Sequence, residues 1–139
     1  MAVVFVENPQ TPLAKKLGLK PGFKIRLINQ PDYYQELFAE GLNEVLILND
    51  ITTKKDLIHY FATGIKQLEK DIIQLREEIQ QDGMIWISWP KKSSKIKTDL
   101  TENMIRDLAL NIGLVDVKVC SVDNVWSALK LVIRLKDRK

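Results

Sequence analysis

Five apolar residues, Ile65, Leu68, Ile72, Leu75 and Ile79, recur at alternating +3 and +4 spacing with charged residues between them, which lays them along one face of an α-helix. A different kind of run flanks this pattern on each side. "DLIHYFAT" (56–63) precedes it and "MIWISW" (84–89) follows it, both apolar and aromatic with few interruptions, as strands covered on both faces are. A strand, an amphipathic helix and a second strand form a crossover unit, which joins parallel neighbours in a sheet packed by helices. Two heptads are short for coiled-coil pairing, so the stripe is expected to lie on the sheet.

The remaining segments extend the same pattern. "TPLAKKLG" (11–18) reads as a short helix, with Thr11 as cap, Pro12 in the first turn and Gly18 just past the end. "FKIRLI" (23–28) alternates as a strand, "PDYYQELFAE" (31–40) can open a helix at its proline, and "EVLILND" (44–50) is a second strand after a break at Gly41. The central helix is expected to end near Asp82 and Gly83. Further on, Asp99 with Glu102 three positions later has the form of a capping box, ahead of an apolar face of Leu100, Met104, Ile105, Leu108 and Ile112 that Gly113 would stop. "VDVKVCSV" (115–122) and "WSALKLVIR" (126–134) are so close that an antiparallel hairpin must join them. The expected architecture is a single α/β domain over residues 1–139. It is a Rossmann-like three-layer sandwich, with a mostly parallel six-stranded sheet and an antiparallel last strand.

Composition narrows the function classes. A 139-residue chain with 45% hydrophobic residues can bury one core. A net charge of +3 and a pI near 8.9 admit an anionic partner without demanding one. The one cysteine, Cys120, excludes an internal disulfide, and with the one histidine, His59, it is too little for a His/Cys metal site within one chain; carboxylate sites stay open, and no metal is expected. "MAVVFVENP" lacks the basic start of a secretory signal, and no run reaches the ~20 apolar residues of a membrane helix, so the expectation is a cytoplasmic protein with no membrane partner. His59 sits in an apolar strand and reads as a satisfied core residue, and Cys120 as a small buried hydrophobe. Lys130, inside "ALKLVI", needs a partner or a route to the rim if its strand is central.

"DGMIWISWPKK", the helix after it, "NIGLVDVKV" and "WSALKLVIR" together resemble the closing half of an S-adenosylmethionine-dependent methyltransferase domain. Across residues 11 to 135 the chain is also similar to a family of short bacterial proteins known only as a domain of unknown function, which implies no activity. The methyltransferase likeness implies S-adenosylmethionine as cofactor and Asp50, at the end of the second strand, on its ribose hydroxyls. Read from the residues alone, Asn49 and Asp50 are a turn. Where methyltransferases place a glycine-rich loop after the first strand, this chain has Asn29, Gln30, Pro31 and Asp32. None is glycine, and Pro31 has no backbone N–H to donate. About five residues link the second and third strands, too few for a crossover helix and further strand. The cofactor pocket therefore reads as dismantled, and no cofactor is expected.

"PKKSSKIKT" (90–98) leaves the carboxyl end of the fourth strand, the edge where open α/β sheets bind ligands. With the last strand antiparallel beside it, Trp89, Lys91, Lys92, Ser93, Ser94, Trp126 and Ser127 are expected to converge on one patch suited to a phosphate-bearing or nucleotide-like ligand. Asp99 and Glu102 oppose an anion set directly on the following helix. The competing reading is a solvated loop beside two packing tryptophans. Three function classes follow, in this order: a non-catalytic binding module for a phosphorylated small molecule or nucleic acid, a reduced methyltransferase, and an interaction or assembly scaffold with a protein partner or a second copy.

Overall fold

The structure, a computed structural model, describes residues 12–38, 42 and 44–139. Its six strands are β1 (Lys24–Ile28), β2 (Leu46–Ile47), β3 (Lys55–Phe61), β4 (Ile79–Pro90), β5 (Leu114–Ser121) and β6 (Trp126–Ile133). The helices are α1 (Leu13–Leu17), α2 (Ile65–Glu78) and α3 (Glu102–Asn111). One sheet runs in the order β2-β1-β3-β4-β6-β5. The first four strands are parallel, and β6 is antiparallel to both of its neighbours. This is the expected mostly parallel sheet, with the last strand inserted beside the fourth.

Period-3.6 and period-2 patterns decide which faces are covered. The stripe of α2 buries Leu68, Ile72 and Leu75, and α3 adds Ile105 and Ala109, over Ile58, Ile85, Ile87, Leu129 and Leu131 of the sheet. Each such leucine or isoleucine contributes roughly 1.5–3 kcal/mol by leaving water. On the opposite face, α1 and a 3-10 turn at Tyr34–Leu37 cover Leu57, Phe61, Trp86, Cys120 and Ala128. Trp86 Nε1 donates to the Leu17 carbonyl at 2.9 Å, tying α1 to the sheet centre. Gly18 closes α1 with φ 79°, a conformation that favours glycine.

Several boundaries differ from the sequence reading. Thr11 and Gly41 lie outside the described residues. The helix expected from Pro31 is only the 3-10 turn, because Tyr34 is drawn into the core and Phe38 is already extended. Strand β2 is two residues long, since Asp50 turns the chain back toward β3. Helix α2 stops at Glu78, and β4 starts at the next residue rather than after Gly83. Gly83 instead lies in a register shift between β3 and β4, where a Cβ would sit 3.0 Å from the Gln80 and Lys55 carbonyl oxygens. Helix α3 is capped by Thr101, whose Oγ1 accepts from Met104 N. Asp99 serves another helix: its Oδ1 accepts from Ile65 N at the start of α2, at 2.9 Å.

Two polar groups are built into this core. His59 is fully buried between Tyr34 Oη, 2.8 Å from Nδ1, and Ser88 Oγ, 2.7 Å from Nε2. A neutral imidazole has one donor and one acceptor nitrogen, and a hydroxyl can meet either. Glu78 is also buried, with Arg26 Nη1 at 2.5 Å and Lys55 Nζ at 3.2 Å; Lys55 donates further to the Asp50 and Thr53 carbonyls. Glu78→Ala takes the buried carboxylate from both Arg26 and Lys55, leaving the Lys55 ammonium only the half-exposed Asp50 carboxylate at 3.7 Å, and is expected to cost about 3 kcal/mol in urea unfolding. Burial pushes the His59 pKa down to about 3 from 6.5. Its contribution is therefore present above pH 6.5 and drains as the pH falls toward 3, by up to about 1.4 kcal/mol per pH unit. His59→Leu is expected to lower stability at pH 7, since each stranded hydroxyl costs about 1–3 kcal/mol, and to flatten the acid dependence over that window.

Candidate functional site

The β4–α3 connection is held by its own hydroxyls. Pro90 ends the pairing, a 3-10 turn follows at Lys92–Ser94, and Lys95 reverses the chain with φ 65°. Ser94 Oγ donates to the Lys91 carbonyl at 2.7 Å and accepts from Ile96 N at 3.3 Å. Thr98 Oγ1 donates to the Thr63 carbonyl at 2.6 Å and accepts from Leu100 N at 3.1 Å. With Asp99 on the first N–H of α2 and Leu100 in the core, the loop is anchored to both neighbouring elements. Such local side-chain bonds define a loop conformation without regular structure.

A cleft of about 730 Å³ opens between this loop and the start of α3. That lies within the 300–1,000 Å³ range of small-molecule sites. Trp89, Pro90, Ile96 and Leu100 supply its apolar lining, and Lys91, Lys92 and Lys97 its cations. Two carboxylates also line it, but both are engaged. Asp99 bonds α2, and Glu102 pairs with Arg106, which also holds Asp116 at 2.9 Å. Those two carboxylates and the bonds they make raise the Arg106 pKa, Glu102 most of all. Among the described residues no carboxylate lies within ion-pair distance of Lys91, Lys92 or Lys97.

The seven residues expected to converge are brought together only in part. Trp89, Lys91 and Lys92 line the cleft. Ser93 is exposed on the turn, and the Ser94 hydroxyl is committed to the turn's own bonds. Trp89 pairs with Ser127 and Pro90 with Trp126 across the β4–β6 ladder, as a beside-the-fourth last strand requires. Yet neighbouring positions on a strand face opposite ways: Trp89 packs under α3, whereas Trp126 joins the core on the α1 face. The two rings therefore do not form one platform, and each is under a tenth exposed. Lys97 and Asn103 line the cleft and were not singled out from sequence. Lys97 belongs to the same basic run, and the turn at Lys92–Ser94 with the reversal at Lys95 brings it to the cleft, which no local pattern signals.

Beyond β1 and β3 lies the edge at which open α/β sheets bind ligands. There the described residues Asn29, Tyr60, Phe61, Ala62, Thr63, Gly64, Gln67 and Trp126 line a cavity of about 160 Å³, below the usual size for a ligand site. Around it, His59 stacks on Phe61 at 4.3 Å, and Phe61 meets Trp126 and Tyr34 edge-on at 5.0 and 5.7 Å. Asp50 lines neither cavity. Its carboxylate accepts from Thr53 N at 2.7 Å and Thr52 Oγ1 at 2.9 Å, bonds that hold it well below the usual carboxylate range. This is the turn geometry its residue type favours. Burial pushes the Cys120 thiol up. No cluster of three or more His, Cys, Asp and Glu residues that could hold a metal occurs among the described residues. No helix among them is long and apolar enough to cross a membrane.

A family model described as "Protein of unknown function (DUF3052)" matches residues 14–135. No curated protein matches the chain. Solved structures similar to it include magnesium protoporphyrin IX methyltransferase (ChlM) from Synechocystis PCC 6803 with bound SAH, 11% identical over 87% of this chain and 78% of that one, with a TM-score of 0.61. A putative methyltransferase from Thermoplasma acidophilum is 9% identical over 96% and 81%, with a TM-score of 0.58. A TehB-like SAM-dependent methyltransferase from Corynebacterium glutamicum is 13% identical over 91% and 90%, with a TM-score of 0.54. These likenesses establish a methyltransferase-like α/β fold. The small size of the cavity beyond β1 and β3 and the glycine-free segment 29–32 after β1 make a definite expectation for this chain: millimolar S-adenosylhomocysteine leaves the thermal midpoint within a degree of the free protein. A bound ligand at about 100 times its Kd would instead add about 2.7 kcal/mol and raise the midpoint by several degrees.

Proposed function

We propose that this chain, which belongs to the family described as "Protein of unknown function (DUF3052)", is a non-catalytic module that binds a phosphate-bearing ligand at the basic cleft between β4 and α3. The observation that carries this reading is the cleft itself. Three lysines without carboxylate partners among the described residues stand over an apolar floor of Trp89, Ile96 and Leu100. Ammonium groups donate charge-assisted bonds to phosphate oxygens, and an apolar floor accepts the non-phosphate part of a ligand. Nothing in the cleft resembles a nucleophile held by a base: Thr98 and Thr101 spend their hydroxyls on the loop and on the α3 cap.

A second reading, a reduced S-adenosylmethionine-dependent methyltransferase, draws on the shared fold alone and is opposed by the glycine-free segment 29–32 after β1. The experiment that tests the cleft is calorimetric titration with inorganic tripolyphosphate and with ATP at low salt. Binding is expected to weaken as salt rises and to fall at least tenfold in the Lys92→Ala, Lys97→Ala double variant, with the thermal midpoint unchanged because both side chains are exposed. Equal affinity in variant and parent would overturn the assignment.

A further inference from the structure

The cleft between β4 and α3 has two ends of different chemistry. At the loop end Lys92 and Lys97 are exposed and without a partner among the described residues, while Lys91 turns its Nζ to Ser121 Oγ at 2.6 Å. The α3 end offers neutral donors. Glu102 and Asn103 open the helix, and the N–H groups of its first turn have no acceptor within it. Asn103 Oδ1 accepts from Arg106 Nη1 at 2.7 Å, which leaves the two Nδ2 donors of that amide free. Trp89 adds a further donor. It is nine-tenths buried on the α3 face and lines the cleft, and its Nε1 meets no acceptor among the described residues. Nor is that nitrogen sealed from solvent, because among those residues the one fully buried side-chain nitrogen or oxygen without a partner is Arg76 Nε. A buried indole N–H ordinarily finds an acceptor inside the protein, as Trp86 Nε1 does on the Leu17 carbonyl.

Charge decides how a ligand lies between these ends. The acceptors at the α3 end are mostly spent: Arg106 takes Glu102 Oε2 and Asn103 Oδ1, Ile65 N takes Asp99 Oδ1, and Met104 N takes Thr101 Oγ1. Asp99 Oδ2 and Glu102 Oε1 remain. Two carboxylates repel a phosphate set on the α3 N-terminus, so phosphates belong at Lys92 and Lys97. The group at the α3 end must then offer acceptors to Asn103 Nδ2 and Trp89 Nε1 and donors to the two remaining carboxylate oxygens. An aliphatic ammonium has donors only and would leave the indole N–H unpaired in a dry place, which is costly. A nucleobase edge carries donors and acceptors together, and its flat faces suit the apolar floor of Ile96 and Leu100. The cleft, about 730 Å³, has the size of a site for a whole small molecule rather than for a compact phosphate.

We infer that the cleft takes a nucleoside polyphosphate, with its phosphates at Lys92 and Lys97 and its base at the α3 end, where Trp89 Nε1 and Asn103 Nδ2 donate to it. The inference rests on the reading of the cleft as a phosphate site and adds the class of ligand that fills it. The test is calorimetric titration of the parent, Asn103→Ala and Trp89→Phe with ATP and with tripolyphosphate, free of magnesium and at one salt concentration, read as the ratio of the two affinities. Tripolyphosphate carries the denser charge, so lysines alone favour it. In the parent ATP is expected to bind more tightly, by about fivefold. Each variant is expected to lower the ratio about two- to tenfold, the worth of one neutral hydrogen bond. Asn103 is exposed and Arg106 keeps Glu102 and Asp116, so Asn103→Ala should melt with the parent. Trp89→Phe keeps an aromatic ring on the floor and removes the N–H. ATP bound no tighter than tripolyphosphate in the parent, or a ratio unchanged in either variant, overturns the base assignment, and tripolyphosphate binding then leaves the cleft standing as a phosphate site. Absence of binding of both ligands to the parent overturns both readings.

Discussion

The architecture depends on β4, which pairs with β3 on one side and β6 on the other along most of its length. The parallel pairing needs a long crossover, and α2 provides it while covering the apolar face that pairing creates. The antiparallel pairing brings the last strand in against the fourth, so that the hairpin's beginning and the fourth strand's end meet at one edge. The basic loop leaves β4 there, Lys91 N is held by the Val125 carbonyl at 2.7 Å, and Ser121 stands at the end of β5 alongside.

The same sheet sets how the α1 face beside β1 and β3 is packed. With no crossover helix between β2 and β3, the chain turns sharply through Asp50 to Thr53, and Asp50 spends its carboxylate on that turn. Short of a helix after β1, the segment at Tyr34–Leu37 lays its tyrosine over His59 instead. Tyr34, Phe38, His59, Phe61 and Trp126 then form a continuous aromatic cluster. Edge-to-face and stacked rings fill space densely and direct a buried imidazole's two nitrogens to hydroxyls. Tyr34, Phe38, Phe61 and Trp126 all belong to the core on that face.

Charge is distributed with a comparable logic. The buried cations are matched where the core requires it, as Arg26 and Lys55 are by Glu78, because an isolated ion in the interior is costly. Lysines at the β4–α3 edge and along β6 lack such partners among the described residues, and the acids nearest to them are used by α2 and by Arg106. A positive field is left at one edge of a protein whose overall charge is only +3. A cleft lined by one sign of charge focuses the local field whatever the net charge of the whole protein.

Periodicity in the sequence by itself determined the α/β class, the long helix with its apolar face, the closing hairpin and the satisfied, buried state of His59 and Cys120. These follow from spacing and residue type, which act over a few positions. The basic loop was legible for the same reason, as a run of lysines after an apolar strand. Only the tertiary structure decided which of its residues face one cleft, because adjacent strand positions point to opposite faces and Trp126 therefore left the site while Lys97 entered it. It alone showed that Thr101 rather than Asp99 caps α3, since Asp99 is taken by a helix start 34 positions away in the chain. It alone set Lys130 opposite Lys118, because register between paired strands is fixed by the packing of both faces and by a bulge near Asp116. Contacts between residues distant in sequence depend on which elements meet, and no local pattern encodes that.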